Sequence, residues 1–411
     1  MKKIIFLVIL VIGIFLGYTI YKNNKEANKF IYEDILNSIG EKNVEINSFT
    51  IYGKYLNLKG NLPSSDNYEL VFKNNEEEIQ IKSLTNEFST SDYINDGINL
   101  EKLKTGKYIM LLHNFGTDEY YNLINKTTYH DNKYYTMTRD NKNNLITFNE
   151  EEFNDIKYLT ITIEETKLPN DVYDIVIDPG HGGIDTGASN GNYHESKYTL
   201  EYGLALKEAL EDTGLKVKLT REDNVKIDHY GVGSRTGIPY EVKAKLMLSI
   251  HLNSSNSKKV NGTEIYRAYE ANDNFAKLLS DNIVSYANTN YSTNPQNKIF
   301  DGVYMRTYSA NDKKSLREEA YTIGYEPYEL PDNLTYYYFI RETGGINTKA
   351  FSDGRNPKYS ANIYRNSNIG TEAYLCELAY ISNMDDLKNI INNKDNFIKA
   401  LKDSIISYVN N

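Results

Sequence analysis

Hydrophobic and polar positions follow three rhythms along this chain, and each predicts a different kind of structure. The first rhythm is unbroken. Lys2 and Lys3 precede an uncharged run from Ile4 to Ile20, dominated by Ile, Leu, Val and Phe, and lysines return at Lys22 and Lys25. The run sits at the short edge of what spans a hydrocarbon core of about 30 Å. It ends Gly17-Tyr18-Thr19-Ile20-Tyr21, with no small-x-small cleavage signal. The expectation is an uncleaved signal-anchor over residues 1–22, a single-pass membrane helix with the amino terminus inside and the rest of the chain outside the cell. Secretion after signal cleavage is the alternative. Residues 23–46 are polar, with Phe30, Ile31, Ile35 and Leu36 at loosely helical spacing, and read as a stalk.

The second rhythm is short alternation, over residues 47–165. Phe49 to Tyr52, Tyr55 to Gly60, Tyr68 to Phe72, Tyr108 to Leu112 and Tyr158 to Ile163 are β-branched or aromatic, and turn signals such as Ser65-Asp66-Asn67 separate them. Short strands without a long helical pattern predict an all-β, sandwich-like domain, and an immunoglobulin-like form is one version of it. A spacer between membrane and the remaining chain is the plainest role for such a domain.

The third rhythm, over residues 171–411, alternates strand and helix. Asp174 to Asp178 reads as a mostly apolar strand, and Tyr198, Tyr202, Ala205, Leu206, Ala209 and Leu210 mark one helical face closed by Gly214. Further strands are predicted at Leu215 to Thr220, Leu246 to Ile250, Gly262 to Tyr266 and Glu372 to Leu378, with a helix at Phe275 to Tyr286. This predicts an open α/β domain, a largely parallel twisted sheet flanked by helices. Residues 294–369, rich in Tyr, Asn and Gly, interrupt the rhythm and read as an insertion.

Composition narrows the partners. The net charge is −10 and no sustained basic face exists, which excludes a nucleic-acid partner. Cys376 is the only cysteine, so no intramolecular disulfide can form. Tyr is abundant at 37 and Trp absent; Tyr suits sugar stacking and strand cores alike.

Candidate chemistry lies where strands end. The strand closing at Asp178 runs into Pro179-Gly180-His181-Gly182-Gly183, and Met247 to Leu252 carries His251 near its end. Ligands of open α/β sheets collect beyond the carboxyl ends of the strands. Two histidines there can converge on one point, as in a catalytic zinc site completed by a carboxylate and a water. Glu195, before the amphipathic helix, is the candidate third ligand, although a helix-start charge accounts for it equally well. His194 is its less favoured neighbour. Glu377 lies within the apolar strand Tyr374 to Tyr380, where a charge is expensive unless it is used, and is the candidate general base. Alternation places Cys376 on the opposite face as core filler. Asn253 and Arg235 are weaker candidates for substrate contact, and His113, His130 and His229 read as structural or surface residues.

Together these words resemble the type-3 catalytic domain of the zinc-dependent N-acetylmuramoyl-L-alanine amidases. The resemblance is carried in order by Asp178-Pro-Gly-His-Gly-Gly183, Glu195 before a helix, Leu219-Thr-Arg-Glu-Asp223, Ser249-Ile-His-Leu-Asn253, and Glu377 followed by Ile381-Ser-Asn383. It spans roughly residues 171–411. It implies His181, Glu195 and His251 as Zn2+ ligands, Glu377 as the catalytic carboxylate and peptidoglycan as substrate. Cleavage would fall between the muramic acid lactyl group and the stem peptide's L-alanine. A zinc peptidase acting within the stem peptide and a non-catalytic wall-binding protein are the rivals. An activator protein that clears the insertion from the groove is a further expected partner.

Overall fold

The structure is a computed structural model and describes residues 34–40, 42–91, 95–127, 131–229, 231–322, 335–343 and 367–411. The expected membrane anchor, most of the stalk, His130 and much of the 294–369 insertion lie outside the described residues. No described helix is long and apolar enough to cross a membrane.

The amino-terminal strands form one hydrogen-bonded sheet rather than two separate ones. Gly106–Asn114 is the reason. One edge of it pairs with Asn67–Lys73, while along the other edge Ile156–Thr166 takes its first half and Glu119–Asn125 its second. The sheet forks there into arms that face each other over a common core, in which the Phe49 ring meets Phe148 edge-on at 5.1 Å. The packing is that of a sandwich, but the sheet is continuous. A smaller cluster on the outer face buries Leu36 and Ile39 against Val71, Ile109 and Leu111.

The carboxy-terminal sheet has seven strands, in the order Val217–Leu219, Ile175–Pro179, Leu246–Asn253, Glu372–Tyr380, Glu264–Arg267, Val303–Tyr304 and Lys298–Phe300. The first four run parallel, Glu264–Arg267 is antiparallel to Glu372–Tyr380, and Lys298–Phe300 is antiparallel to its neighbour, so the sheet is mixed. Its central strands are apolar on both faces, which requires a covering layer on each side. On one face Ile175, Leu248 and Cys376 pack beneath Leu206, Leu279, Phe397 and Leu401 of the helices Glu195–Glu211, Asp273–Tyr286 and Lys394–Asn410. On the other, Val176, Met247 and Leu375 pack against Ile238, Phe339 and Ile340. Part of the predicted insertion is therefore structural: Val303–Tyr304 extends the sheet, and the helix Tyr338–Thr343 covers its second face.

The two sheets are joined. Ile51 and Tyr52 pair in parallel with Ile369 and Gly370, the buried Lys54 ammonium donates to the Tyr408 carbonyl at 2.7 Å, and Tyr52 and Met137 belong to the core of the carboxy-terminal sheet.

Candidate metal centre

Three of the sequence-predicted residues meet at one point. Each of His181, Glu195 and His251 offers a ligand atom, and these atoms lie within 4.8 Å of one another. His181 Nε2 is 3.1 Å from Glu195 Oε2, and His251 Nδ1 is 2.9 Å from Glu195 Oε1.

Local sequence dictates this convergence. The strand Ile175–Pro179 delivers the chain to Gly180, and His181 then adopts φ +60°, in a turn shared with Gly182 at +126° and Gly183 at +62°. Glycine is required for space as well as for conformation. A Cβ on Gly180 would stand 2.3 Å from the His251 ring, and one on Gly187 would stand 2.5 Å from Glu195 Oε2 and 2.6 Å from the His181 ring. Asp185 Oδ2 lies 2.9 Å from His181 Nδ1, which leaves Nε2 pointing at the centre.

Two arginines hold the loop from beneath. Arg221 donates to the Pro179 and Gly180 carbonyls at 3.0 and 2.8 Å. Arg235 donates to the Pro179 carbonyl at 2.9 Å, to the His181 carbonyl and to Asp178. Asp178 is buried and also accepts from Thr220 Oγ1 at 2.6 Å and Ser249 Oγ at 2.7 Å. Burial alone would raise its pKa, but Arg235 and these hydroxyls outweigh it and hold the carboxyl below its ordinary range. Arg235 is 5% exposed, and its guanidinium lies under the histidine turn on the carbonyls it binds.

Electrostatics divide the carboxylates. Glu195 is 3% exposed, and burial opposes its charge, yet contacts with His181 and His251 hold its pKa far below the ordinary value. Glu377 behaves oppositely: burial, then Glu195, then Glu264 push its carboxyl well above the usual range. It faces His251 across the parallel ladder. Its Oε2 is shielded from solvent and has no hydrogen-bond partner among the described residues.

Sequence reasoning missed Glu264, which faces Glu377 across the antiparallel ladder. Asn253 Nδ2 and Tyr266 Oη donate to its Oε2, each at 2.8 Å. Ser292 Oγ at 2.6 Å and Tyr380 Oη donate to its Oε1. The signal was available: a carboxylate in an apolar strand, the criterion that singled out Glu377. Asn253 is thus engaged at the sheet end. The ring of Phe339 stacks on His251 at 5.6 Å and forms one wall of the centre, a placement no local pattern announces. His229 stacks on Tyr338 at 4.3 Å, His113 on Tyr120 at 4.3 Å, and Cys376 is buried in the core.

The donor set suits a resident metal ion. Two imidazole nitrogens and a carboxylate oxygen converge, glycines clear the space around them, and a carboxylate oxygen without a partner among the described residues lies on the adjoining strand.

Residues 175–320 match a family model described as N-acetylmuramoyl-L-alanine amidase. His181, Glu195 and His251 fall inside that stretch and Glu377 outside it. The probable cell wall amidase LytH of Staphylococcus saprophyticus subsp. saprophyticus is 37% identical over 109 residues, covering 26% of this chain and 35% of that protein. The germination-specific N-acetylmuramoyl-L-alanine amidase of Bacillus subtilis is 32% identical over 122 residues, covering 26% of this chain and 52% of that protein. The chain thus spans about a third to a half of the length of these curated relatives. Among solved structures, the catalytic domain of CwlV, an N-acetylmuramoyl-L-alanine amidase from Bacillus (Paenibacillus) polymyxa var. colistinus, aligns at 21% identity and a TM-score of 0.39, covering 58% of this chain and 99% of that one. By the sequence match, residues 175–320 of this chain are similar to the N-acetylmuramoyl-L-alanine amidase family.

Proposed function

We propose that this chain is a zinc-dependent N-acetylmuramoyl-L-alanine amidase that separates the glycan strand of peptidoglycan from its stem peptides. The observation that carries the reading is the convergence of His181, Glu195 and His251, all within the stretch matched to that family, beside Glu377 on the neighbouring strand. His181, Glu195 and His251 hold the ion; Asp185 orients His181. Bound zinc supplies the Lewis acidity that polarises the scissile carbonyl. Glu377 accepts the proton of the attacking water and returns it to the departing L-alanine nitrogen, a role that its raised proton affinity suits. Glu264 holds Asn253 and Tyr266 against the strand that carries Glu377. Phe339 excludes solvent from one side of His251.

The apolar run Ile4 to Ile20 supports a location at the cell membrane with this domain outside. The short strands of residues 47–165 then space the enzyme from the bilayer.

The test is product analysis. Residues 25–411 are incubated with intact peptidoglycan while bound zinc is measured. New L-alanine amino termini without new glycan reducing ends, dependent on zinc and on Glu377, are expected. Shortened stems with the lactyl–alanine bond intact would replace this reading with a stem peptidase.

A further inference from the structure

The chain that supplies His181 continues into a two-stranded hairpin, Ser189–Asn190 paired with Tyr193–His194, which leads directly to Glu195. The pairing sets its two faces. Ser189 lies opposite His194, and Ser189 Oγ is 2.9 Å from His194 Nδ1, so these two share one face. Asn190 lies opposite Tyr193, and they share the other. His194 is extended, with φ −115° and ψ 133°, so alternation puts Tyr193 and Glu195 on the same side. The face that carries the Glu195 carboxylate to the metal centre therefore carries Tyr193 as well.

That face also meets the end of the strand that carries Glu377. Asn190 Nδ2 donates to the Ile381 carbonyl at 3.0 Å and lies 3.4 Å from Met384 Sδ. Ile381 directly follows the strand Glu372–Tyr380. The hairpin is held on its other side by the Glu195 N–H, which donates to the Ala188 carbonyl at 2.9 Å. On this fixed rim two large apolar side chains stand in water: Tyr193 is 42% exposed and Met384 51%. They border the metal centre on the side of the helix Glu195–Glu211, which covers the first face of the sheet, whereas Phe339 belongs to the cover of the second.

We propose that Tyr193 and Met384 form a subsite for a sugar ring of the glycan strand, an inference that rests on the amidase reading above. Charge selects this half of the substrate. The scissile amide joins an uncharged sugar to a stem peptide that bears carboxylates. Tyr193 and Met384 are neutral, and the Asp385 side chain beside them is 93% exposed. The adjacent cations are matched already, Lys388 to Asp385 and Lys197 to Glu201, each at 3.8 Å. A stem carboxylate would meet Asp385, whereas a pyranose ring presents C–H groups that suit the face of Tyr193. The unbranched Met384 side chain adapts to the uneven edge of such a ring.

The test uses the full chain, purified in detergent and supplied with zinc. Two ligands are compared: a disaccharide-tripeptide, and the same tripeptide carrying only the lactyl group. Turnover gives kcat and KM, and saturation-transfer NMR gives Kd whether or not the ligand is cut. Tyr193→Ala should raise KM and Kd for the sugar-bearing ligand about three- to tenfold, the range of one aromatic contact. Its kcat should change little, and the sugar-free ligand should be unaffected. Tyr193→Phe, which keeps the ring face, should behave as wild type. Equal weakening of both ligands, an unaltered Kd for the sugar-bearing ligand in folded Tyr193→Ala, equal wild-type affinity for the two ligands, or no binding of the sugar-bearing one would overturn the proposal. Wild-type protein that binds both ligands yet leaves the lactyl–alanine bond intact would instead overturn the amidase reading, and the difference in Kd would still decide the subsite.

Discussion

Glu377 and Asp178 show how the same side-chain chemistry serves opposite ends. Glu377 keeps an oxygen without a partner among the described residues, and its carboxyl is held above the usual range. Glu377→Ala should retain zinc yet lower turnover by at least about a hundredfold, the lower bound for losing a general base. Metal content by mass spectrometry alongside initial rates checks this, and near-normal turnover would remove the assignment. Asp178 is fully engaged by Arg235, Thr220 and Ser249. Asp178→Asn leaves Arg235 buried without its counter-charge and should destabilise the domain by about 3–5 kcal/mol in denaturant unfolding. Because the folded pKa of Asp178 is depressed, its contribution is fully present above the unfolded value of about 3.9. It disappears as pH falls through the lower folded value. The stability gap between wild type and variant should therefore be constant from neutrality to about pH 5 and shrink only in stronger acid.

At the scale of elements, the centre depends on a turn and a helix start meeting without side-chain obstruction. Gly187 has φ +66° and sits against both His181 and Glu195. Gly187→Ala combines a strained conformation with a Cβ placed against the His181 ring and Glu195 Oε2. A loss of zinc affinity of about 10–100-fold is expected, comparable to the loss of an orienting partner. Competition with a metal-binding dye measures it, and circular dichroism checks that the fold persists. Unchanged affinity would show that the turn relaxes without moving either ligand. The insertion teaches a related lesson. Its composition reads as irregular, but the residues from Val303 to Thr343 that the structure describes include a strand of the sheet and a helix over its second face. Phe339 reaches His251 because that face, apolar in Val176, Met247 and Leu375, needs a cover.

At the scale of the whole molecule, the two sheets share buried structure. Glu372 is fully buried and accepts from Tyr374 Oη and Tyr408 Oη, each at 2.6 Å, while a Cβ on Gly53 of the amino-terminal region would stand 2.7 Å from its side chain. Arg139 reaches across to the Val409 carbonyl. A junction packed this way should make residues 34–411 unfold in one cooperative transition, with coincident midpoints from near-ultraviolet dichroism and zinc release. Two separated midpoints would show that the sheets are independent units.

The sequence alone determined the strand–helix rhythm, the ends of the strands that carry His181 and His251, and Glu195 at a helix start, because each is encoded by local periodicity and turn chemistry. It also placed Glu377, since a charge within an apolar strand is visible without any partner. The mixed strand order, the fork at Gly106–Asn114, the ring of donors around Glu264 and the approach of Asn190 to Met384 were decided only by tertiary structure. Each depends on which distant segment lies alongside: Glu264 faces Glu377 from a strand more than a hundred residues earlier, and Asn190 reaches Met384 from a hairpin 194 residues earlier. Pairing of that kind is settled by long-range packing and loop closure, quantities that no short window of sequence contains.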